Sequence, residues 1–587
     1  MSDLAINDVK EKMGGGLWEA TKTTTTKLWG AMKRSHQVDD ASMQTPLNRC
    51  LNAFDLTLLG IGNMAGAGIY VLTGTVVRDK AGPSTFLSYL VAGITAFLNA
   101  LCYAELGSRI PKAGSAYAYT YVASGEFLAF VVGWSMILEY ILSVASVARG
   151  WSGTVDAMAN QAISNGTISV IGRFPPDAEF LGDYPDFIGA LLIIALGIIL
   201  CFGPKLSANV NTVVTLLNLC VIILATCVMF AKQPATTSNF APRDHGGFFP
   251  YGFGGMIGGA GTCFYAYIGF DAITVSSEEA INPKRSMPIA TAVSVTVVSV
   301  LFLLASLSLT LFVPWWTVDR QAAFTAAFHV RGVEWATYVT GIGSLLGLSA
   351  SLFTSMYAMP RIGYAMAADG LLPKWLGYLI PSTKVDPESN EYKIAETDEA
   401  QLNEWPHAIG RLKSSFRYIP LLRESKPGRA PIIALLLFVI CAAGLATIVL
   451  PGMRFLEQGR WWAILVTVLF AVGALFFVAI MFAHEQNVQF DSFKVPFVPF
   501  IPCFCIFLNF CLIVKLSPMT WVRFVLWLLI GLIIYFTYGW KHSVHEANTG
   551  ERNRLLEEPT IERTTKQSPQ IQHVTDAVKE VGDETTE

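Results

Sequence analysis

The sequence predicts an all-α polytopic membrane protein. Of its 587 residues, 53 % are hydrophobic and only 14 % charged, a balance that a water-soluble domain does not show. Apolar runs of about 20 residues, the length of one bilayer crossing, recur along the chain. Two of these runs are interrupted by glycine clusters. The net charge of −3 and the lack of a long basic tract argue against a nucleic-acid partner.

Residues 1–50 read as a solvated tail, in which GLWEATKTTTTKLWGAMKR has some amphipathic character. No cleavable signal peptide is visible in this polar segment. Spans are predicted at 54–77, 84–107, 127–148, 186–203, 208–231, 253–278, 287–313 and 336–358. A polar stretch over 361–430, including DPESNEYKIAETDEAQLNEWPH, is too hydrophilic to be embedded. Spans at 431–450, 461–483, 497–515 and 519–538 bring the count to twelve, and 541–587 form a second tail. Lys and Arg concentrate in the two tails and the 361–430 loop, with 23 of 41 there. An even number of spans puts all three on one side, and the positive-inside rule makes that side cytoplasmic. The sequon Asn165-Gly166-Thr167, in the loop after the third span, then lies outside as a glycosylation candidate.

The first span contains GIGNMAGAGIY, residues 60–70, with Gly60, Gly62, Gly66 and Gly68 where a plain spanning helix carries Leu or Val. Gly62 and Gly66 have GxxxG spacing, so close helix packing is one reading. The other is a broken helix, whose freed N–H and C=O groups must be buried or line a cavity. A second stretch, GFGGMIGGAGTCFYAYIGFDAITVSSEEAINP over 252–283, repeats the pattern about two hundred residues later. Two interrupted spans, one early and one about two hundred residues later, are the sequence pattern of a secondary transporter's binding site, which tips the balance toward the second reading.

Three acidic residues fall in or beside spans. Such groups usually face the protein interior, a cavity or a partner. Asp271 and Glu139 are candidates for cation recognition or a proton site, against the alternative of protonated carboxyls bonded between helices. Glu105, at the end of the second span, reads as structural or gating. The eight histidines lie outside the spans or at their edges and show no HExxH or paired spacing, and no P-loop or Rossmann fingerprint is present. An enzyme, a nucleotide-driven pump and a cofactor protein are therefore not expected. Nine of ten cysteines (Cys102, Cys201, Cys220, Cys227, Cys263, Cys441, Cys503, Cys505, Cys511) sit in or beside apolar runs, as small hydrophobes rather than a disulfide or zinc framework. Cys50 is juxtamembrane and reads as an idle thiol rather than a palmitoylation site.

The segments GIGNMAGAGIYVLTG, CYAELGSRIPKAGSAYAY, SVARGWSG, FYAYIGFDAITVSSEEAINP, YAMPRIGYAMAADGLLP, FKVPFVPFIP and TWVRFVLWLLIGLIIYFTYGWKHS resemble the cationic amino acid transporter family of the amino acid–polyamine–organocation superfamily. The resemblance covers most of the chain between about 50 and 545. It implies a leucine-transporter-like, five-plus-five inverted-repeat fold with the first and sixth helices unwound around substrate. Carried onto this chain, N–H groups near Gly66, Ala67 and Gly68 would hold the α-carboxylate, and carbonyls near Tyr265, Ala266 and Ile268 the α-ammonium group. That polarity suits a half-helix N-terminus and an unwound carbonyl. Asp271 matches an acidic position of the family's sixth helix, and Glu139 an acid found in some members. Asn218 stands where proton-coupled prokaryotic relatives carry a lysine, which favours uncoupled transport. The family usually has fourteen spans, and the pair after the eighth is missing here.

The implied activity is plasma-membrane transport of arginine, lysine and ornithine across the lipid bilayer, driven by membrane potential, with both termini cytoplasmic. A neutral or proton-coupled carrier of an endolysosomal membrane, and a shortened non-transporting regulatory form, stand as alternatives. A channel is disfavoured, since no filter repeat or charge ring is present.

Overall fold

The computed structural model describes residues 49–543 except Ala67, Ala113, Asn160, 173–183, 202–203, 234–242, Gln321, 378–411, 414–428, 453–454, Glu457, 486–491 and Ser517. The predicted N-terminal amphipathic stretch, the acidic stretch 386–407 and nearly all of the C-terminal tail lie outside the described residues.

The helical run from Ala53 to Arg109 is 57 residues, or ~85 Å at the α-helical rise, nearly three hydrocarbon thicknesses. It is therefore two crossings. Asn52 and Asp55 form a reciprocal capping box at the start of α1 (Ala53–Ala65), satisfying N–H groups that the first helical turn leaves open. After the break at Gly66 an irregular helix carries the chain to Ala81. The reversal comes at Gly82, at φ +62°, beside Pro250; a side chain in that conformation is strained. α2 (Thr85–Arg109) returns, and α3 (Glu126–Met158), α4 (Phe187–Leu200) and α5 (Pro204–Ala231) follow.

The sixth predicted span is two pieces, α6 (Gly252–Tyr265) and α7 (Asp271–Val275). Then come α8 (Pro283–Phe312), α9 (Glu334–Ala368), α10 (Arg429–Val449), α11 (Trp461–Phe482), α12 (Phe500–Ile513) and α13 (Pro518–Ile534). Among the described residues, eight helical runs are long and apolar enough to cross a membrane, with α4 and α12 as shorter apolar helices.

The third and eighth spans run ten residues past their predicted ends, to Met158 and Ala368. Polar side chains bonded inside the protein carry them on: Asp156 accepts the N–H groups of Ile163 and Ser164, and Arg361 pairs with Glu279. Hydropathy does not register such pairing. Asn165 lies on a short helix, Ala162–Ile171, rather than in an extended loop, and is exposed.

α1 is the hub, packed by α5, α8, α9 and α7, while α2 packs on α8 and α6, and α3 on α9. α10 and α11 pair with each other, α12 joins them to α2 and α6, and α13 lies on α3. Much of the outer surface of α10, α11 and α13 is exposed Leu, Ile, Val and Phe, the surface that lipid covers.

One buried polar knot anchors α13. Glu126 is fully buried and accepts hydrogen bonds from Tyr121 Oη (3.1 Å), Tyr535 Oη (3.1 Å) and Ser543 Oγ (2.7 Å). Removing its carboxylate takes an acceptor from three hydroxyls, at about 1–3 kcal/mol for any group left unsatisfied. Glu126→Ala is expected to lower the unfolding midpoint of detergent-solubilised protein markedly, while Glu126→Gln, which keeps one acceptor, lowers it less. Equal midpoints for Glu126→Ala and the unsubstituted protein would remove this anchor from the stability argument.

Candidate functional site

The two interrupted spans break against each other. Space at Gly68 is limited by the sixth span: a Cβ there would lie 2.7 Å from that of Ala266 and 2.6 Å from Phe302 Cζ. A Cβ on Gly62 would collide with Thr215 of α5, and one on Gly66 with the backbone at Gly347 of α9. The GxxxG pair is thus a close-packing surface as well, but toward two different helices. Close packing and breakage are both present in this stretch.

The freed backbone is satisfied selectively. The Asn63 carbonyl accepts Ser351 Oγ at 2.7 Å, and the Gly68 carbonyl accepts Tyr89 Oη at 2.8 Å. Across the second break, Ile268 N–H donates to the Tyr265 carbonyl at 3.1 Å, so one lone pair of that oxygen is taken. The carbonyls of Ala266, Tyr267 and Ile268 accept no hydrogen bond among the described residues. Gly269, at φ +130° against Asn63, makes the bend. Of the anticipated backbone donors, Gly66 and Gly68 border this crossing and Ala67 lies outside the described residues.

Asp271 starts α7 and is buried. Its carboxylate accepts Tyr140 Oη at 2.5 Å and Gly269 N–H at 3.1 Å, so both oxygens brace the break. Glu139, one residue before Tyr140 on α3, differs. It is half-buried, and among the described residues its carboxylate makes no hydrogen bond and no ion pair. Asp271 and Tyr103 lie within electrostatic reach of it.

Glu105 pairs with Arg109 at 2.6 Å and accepts Val495 N–H at 2.7 Å, which ties the end of α2 to the segment before α12, away from the breaks. Asn218 is buried and accepts Tyr70 Oη at 2.9 Å, while its Nδ2 and the neighbouring Thr215 Oγ1 have no hydrogen-bond partner among the described residues. It couples α5 to the stretch just past the first break.

Sequence reading missed the rest of the α3 face. Ser143, Ser146, Gly150 and Gly153 follow Glu139 at helical spacing, so all lie on one side. Ser146 Oγ and Tyr265 Oη are 2.7 Å apart, and Ser143 Oγ reaches Ser355 of α9 at 3.1 Å. Small and polar residues at i+4, i+7, i+11 and i+14 from Glu139 in an otherwise apolar span were the available signal.

The sequence pattern of the amino acid permease family matches residues 51–537. The chain belongs to that family. Human cationic amino acid transporter 4 is 36 % identical to this permease over 590 residues, spanning 89 % of this chain and 92 % of its own. The vacuolar cationic amino acid transporter 4 of Arabidopsis thaliana is 31 % identical, over 85 % of this chain and 93 % of its own. The methylthioribose transporter of Bacillus subtilis (strain 168) is also 31 % identical, over 504 residues, 86 % of this chain and 96 % of its own. Membership makes this permease a multi-pass membrane transporter rather than an enzyme.

The relatives differ in how many alignment positions face no residue of this chain. The human alignment takes 590 positions to span 89 % of this 587-residue chain. Roughly seventy positions therefore face no residue here, enough for two crossings of ~20 residues and their connections. The bacterial alignment spans 86 % of this chain in 504 positions, with essentially no such gap.

Proposed function

We propose that this permease carries cationic L-amino acids (arginine, lysine and ornithine) by alternating access around the two breaks. The carrying observation is the unpartnered carboxylate of Glu139, beside Asp271 and within the wall that presents the open carbonyls of Ala266 and Ile268. Two carboxylates close together in a low-dielectric interior repel each other, and a substrate cation between them relieves that repulsion. The α-carboxylate takes the N–H groups at Gly66 to Gly68, the α-ammonium group the open carbonyls, and the side-chain cation Glu139. Relatives named as cationic amino acid transporters support the substrate class. The fold is read as twelve spans with an inverted repeat shortened by one helix pair, and the Lys/Arg-rich tails and 361–430 loop as cytoplasmic. The membrane is read as the plasma membrane; the relatives named vacuolar support a vacuolar-type membrane as the alternative.

For a monovalent cation, 100 mV is worth about 2.3 kcal/mol, or roughly 50-fold accumulation without a coupling ion. Proteoliposomes under a potassium–valinomycin potential, with no sodium or pH gradient, are expected to accumulate radiolabelled L-arginine in proportion to that potential. Lysine competes and leucine does not. Acid-stimulated uptake of an uncharged substrate, with no response to the potential, would replace this reading by a proton-coupled neutral carrier.

The gap of about seventy positions supports a second reading, a shortened form that binds without transporting, because a gap of that length has room for two crossings of ~20 residues. The ungapped bacterial relative, itself named a transporter, weighs against it. Arginine binding without accumulation would decide for it.

A further inference from the structure

A cavity of about 210 Å³ opens on α3 beyond the breaks, lined by Val71, Ser146, Arg149, Asp156, Gln161 and Tyr184, with Gly150 and Gly153 on its α3 side. An apolar cavity of ~150 Å³ already admits benzene, so this one is large enough for an amino acid. Its inner side is the wall of the breaks. Val71 belongs to the irregular stretch after Gly66 and lies within 2.9 Å of where a Gly150 Cβ would be, and Ser146 bonds to Tyr265. The cavity is nonetheless a separate place from Glu139: Arg149 lies ten residues and Asp156 seventeen residues further along α3, ~15 and ~25 Å at the helical rise.

Two opposite charges face this space. Arg149 makes one ion pair, to Asp186 at 3.3 Å, and its guanidinium lies 4.5 Å over the Tyr184 ring. Its other N–H groups make no hydrogen bond among the described residues, out of the five that a guanidinium offers. Asp156 accepts the N–H groups of Ile163 and Ser164 at Oδ1 and a bond from the Ser164 side chain, and a carboxylate with about four lone-pair sites keeps room for a further donor. The two residues are seven apart on α3, two turns on one face, or ~10 Å along the axis. That separation suits a ligand whose negative and positive ends are well apart, as in arginine or lysine, better than a short zwitterion.

Resting on the central reading above, we propose that this cavity is a second, peripheral site for a dibasic amino acid. The α-carboxylate pairs with Arg149 and the side-chain cation with the Asp156 carboxylate. Ser146 and Tyr265 separate this site from the breaks, so its occupant is positioned to enter the central site when they part.

The test is equilibrium binding of radiolabelled L-arginine to the purified full chain, counted per folded protein. Two molecules per chain are expected, falling to one in Asp156→Asn and to one in Arg149→Met. Asn keeps the oxygen that holds Ile163 and Ser164, and gel filtration and thermal unfolding check each variant. If one fails to fold, the other carries the readout. One molecule per chain in the unsubstituted protein, lost in Glu139→Gln, would overturn the peripheral site and leave the central one standing. Two molecules retained by either folded variant would overturn its placement at Arg149 and Asp156. No binding to folded protein would reject the central reading, and the peripheral site with it.

Discussion

Glu139→Gln is expected to reduce L-arginine and L-lysine uptake by tenfold or more while leaving the uptake of L-citrulline, arginine's uncharged isostere, nearly unchanged. The magnitude follows from the bond removed. A hydrogen bond to a charged group contributes about 1.5–3 kcal/mol, which is roughly 10- to 150-fold in an equilibrium constant. The substitution removes the charge and little volume. Because Glu139 has no protein partner among the described residues, no internal bond is lost with it. Asp271→Asn should behave differently, because Asp271 accepts Tyr140 Oη and Gly269 N–H. Losing that brace deforms the bend that presents the carbonyls, so charged and uncharged substrates suffer alike. Initial uptake rates for arginine and citrulline in matched proteoliposomes separate the two roles. An unchanged arginine-to-citrulline ratio in Glu139→Gln would remove Glu139 from cation recognition.

The contrast between those two acids also marks what the sequence could disclose. Both were visible as ionisable residues inside apolar runs, and both interruptions were visible as glycine clusters, since each is a local departure from spanning composition. Which acid is spoken for depends on Tyr140, 131 positions away from Asp271, and no local pattern encodes that. Gly62 and Gly66 show the same limit. Their spacing announced a close contact, but the partners, Thr215 and Gly347, belong to two other helices. Arg149 and Asp156 were hidden for a third reason. They lie at or beyond the end of the apolar stretch that hydropathy assigned to the third span, because the helix continues to Met158 on polar bonds. Glu105 could be read as a structural or gating acid from its place at the end of the second span, and the structure pairs it with Arg109. Its second partner, the Val495 N–H, comes from 390 positions away.

Arg361→Gln should unlock the end of the molecule opposite the cavity. There, Glu279 follows the broken sixth span and is almost completely buried. Its carboxylate accepts Arg361 Nη2 at 2.5 Å, Arg361 Nε at 2.8 Å and the Tyr357 hydroxyl, and the guanidinium stacks 3.3 Å over the Tyr357 ring. The Glu279 carbonyl takes the N–H groups of Cys50 and Leu51 at 2.9 and 3.0 Å, and Ile281 N–H returns to the Leu51 carbonyl at 2.9 Å. One residue thus fastens the entry to the first span, the exit from the sixth and the end of the eighth. Removing one partner of a buried ion pair costs about 3–5 kcal/mol, because the other charge is left uncompensated. On the alternating-access reading proposed above, these three elements separate at this end in the opposite state. The penalty of Arg361→Gln therefore falls on the closed form seen here, and the population shifts toward the open one. A permease whose sole cysteine is Cys50 should be labelled by a membrane-impermeant thiol reagent at least tenfold faster once Arg361→Gln is added, with arginine binding retained. A lower unfolding midpoint with unchanged labelling would instead make the pair a strut that stays closed throughout transport.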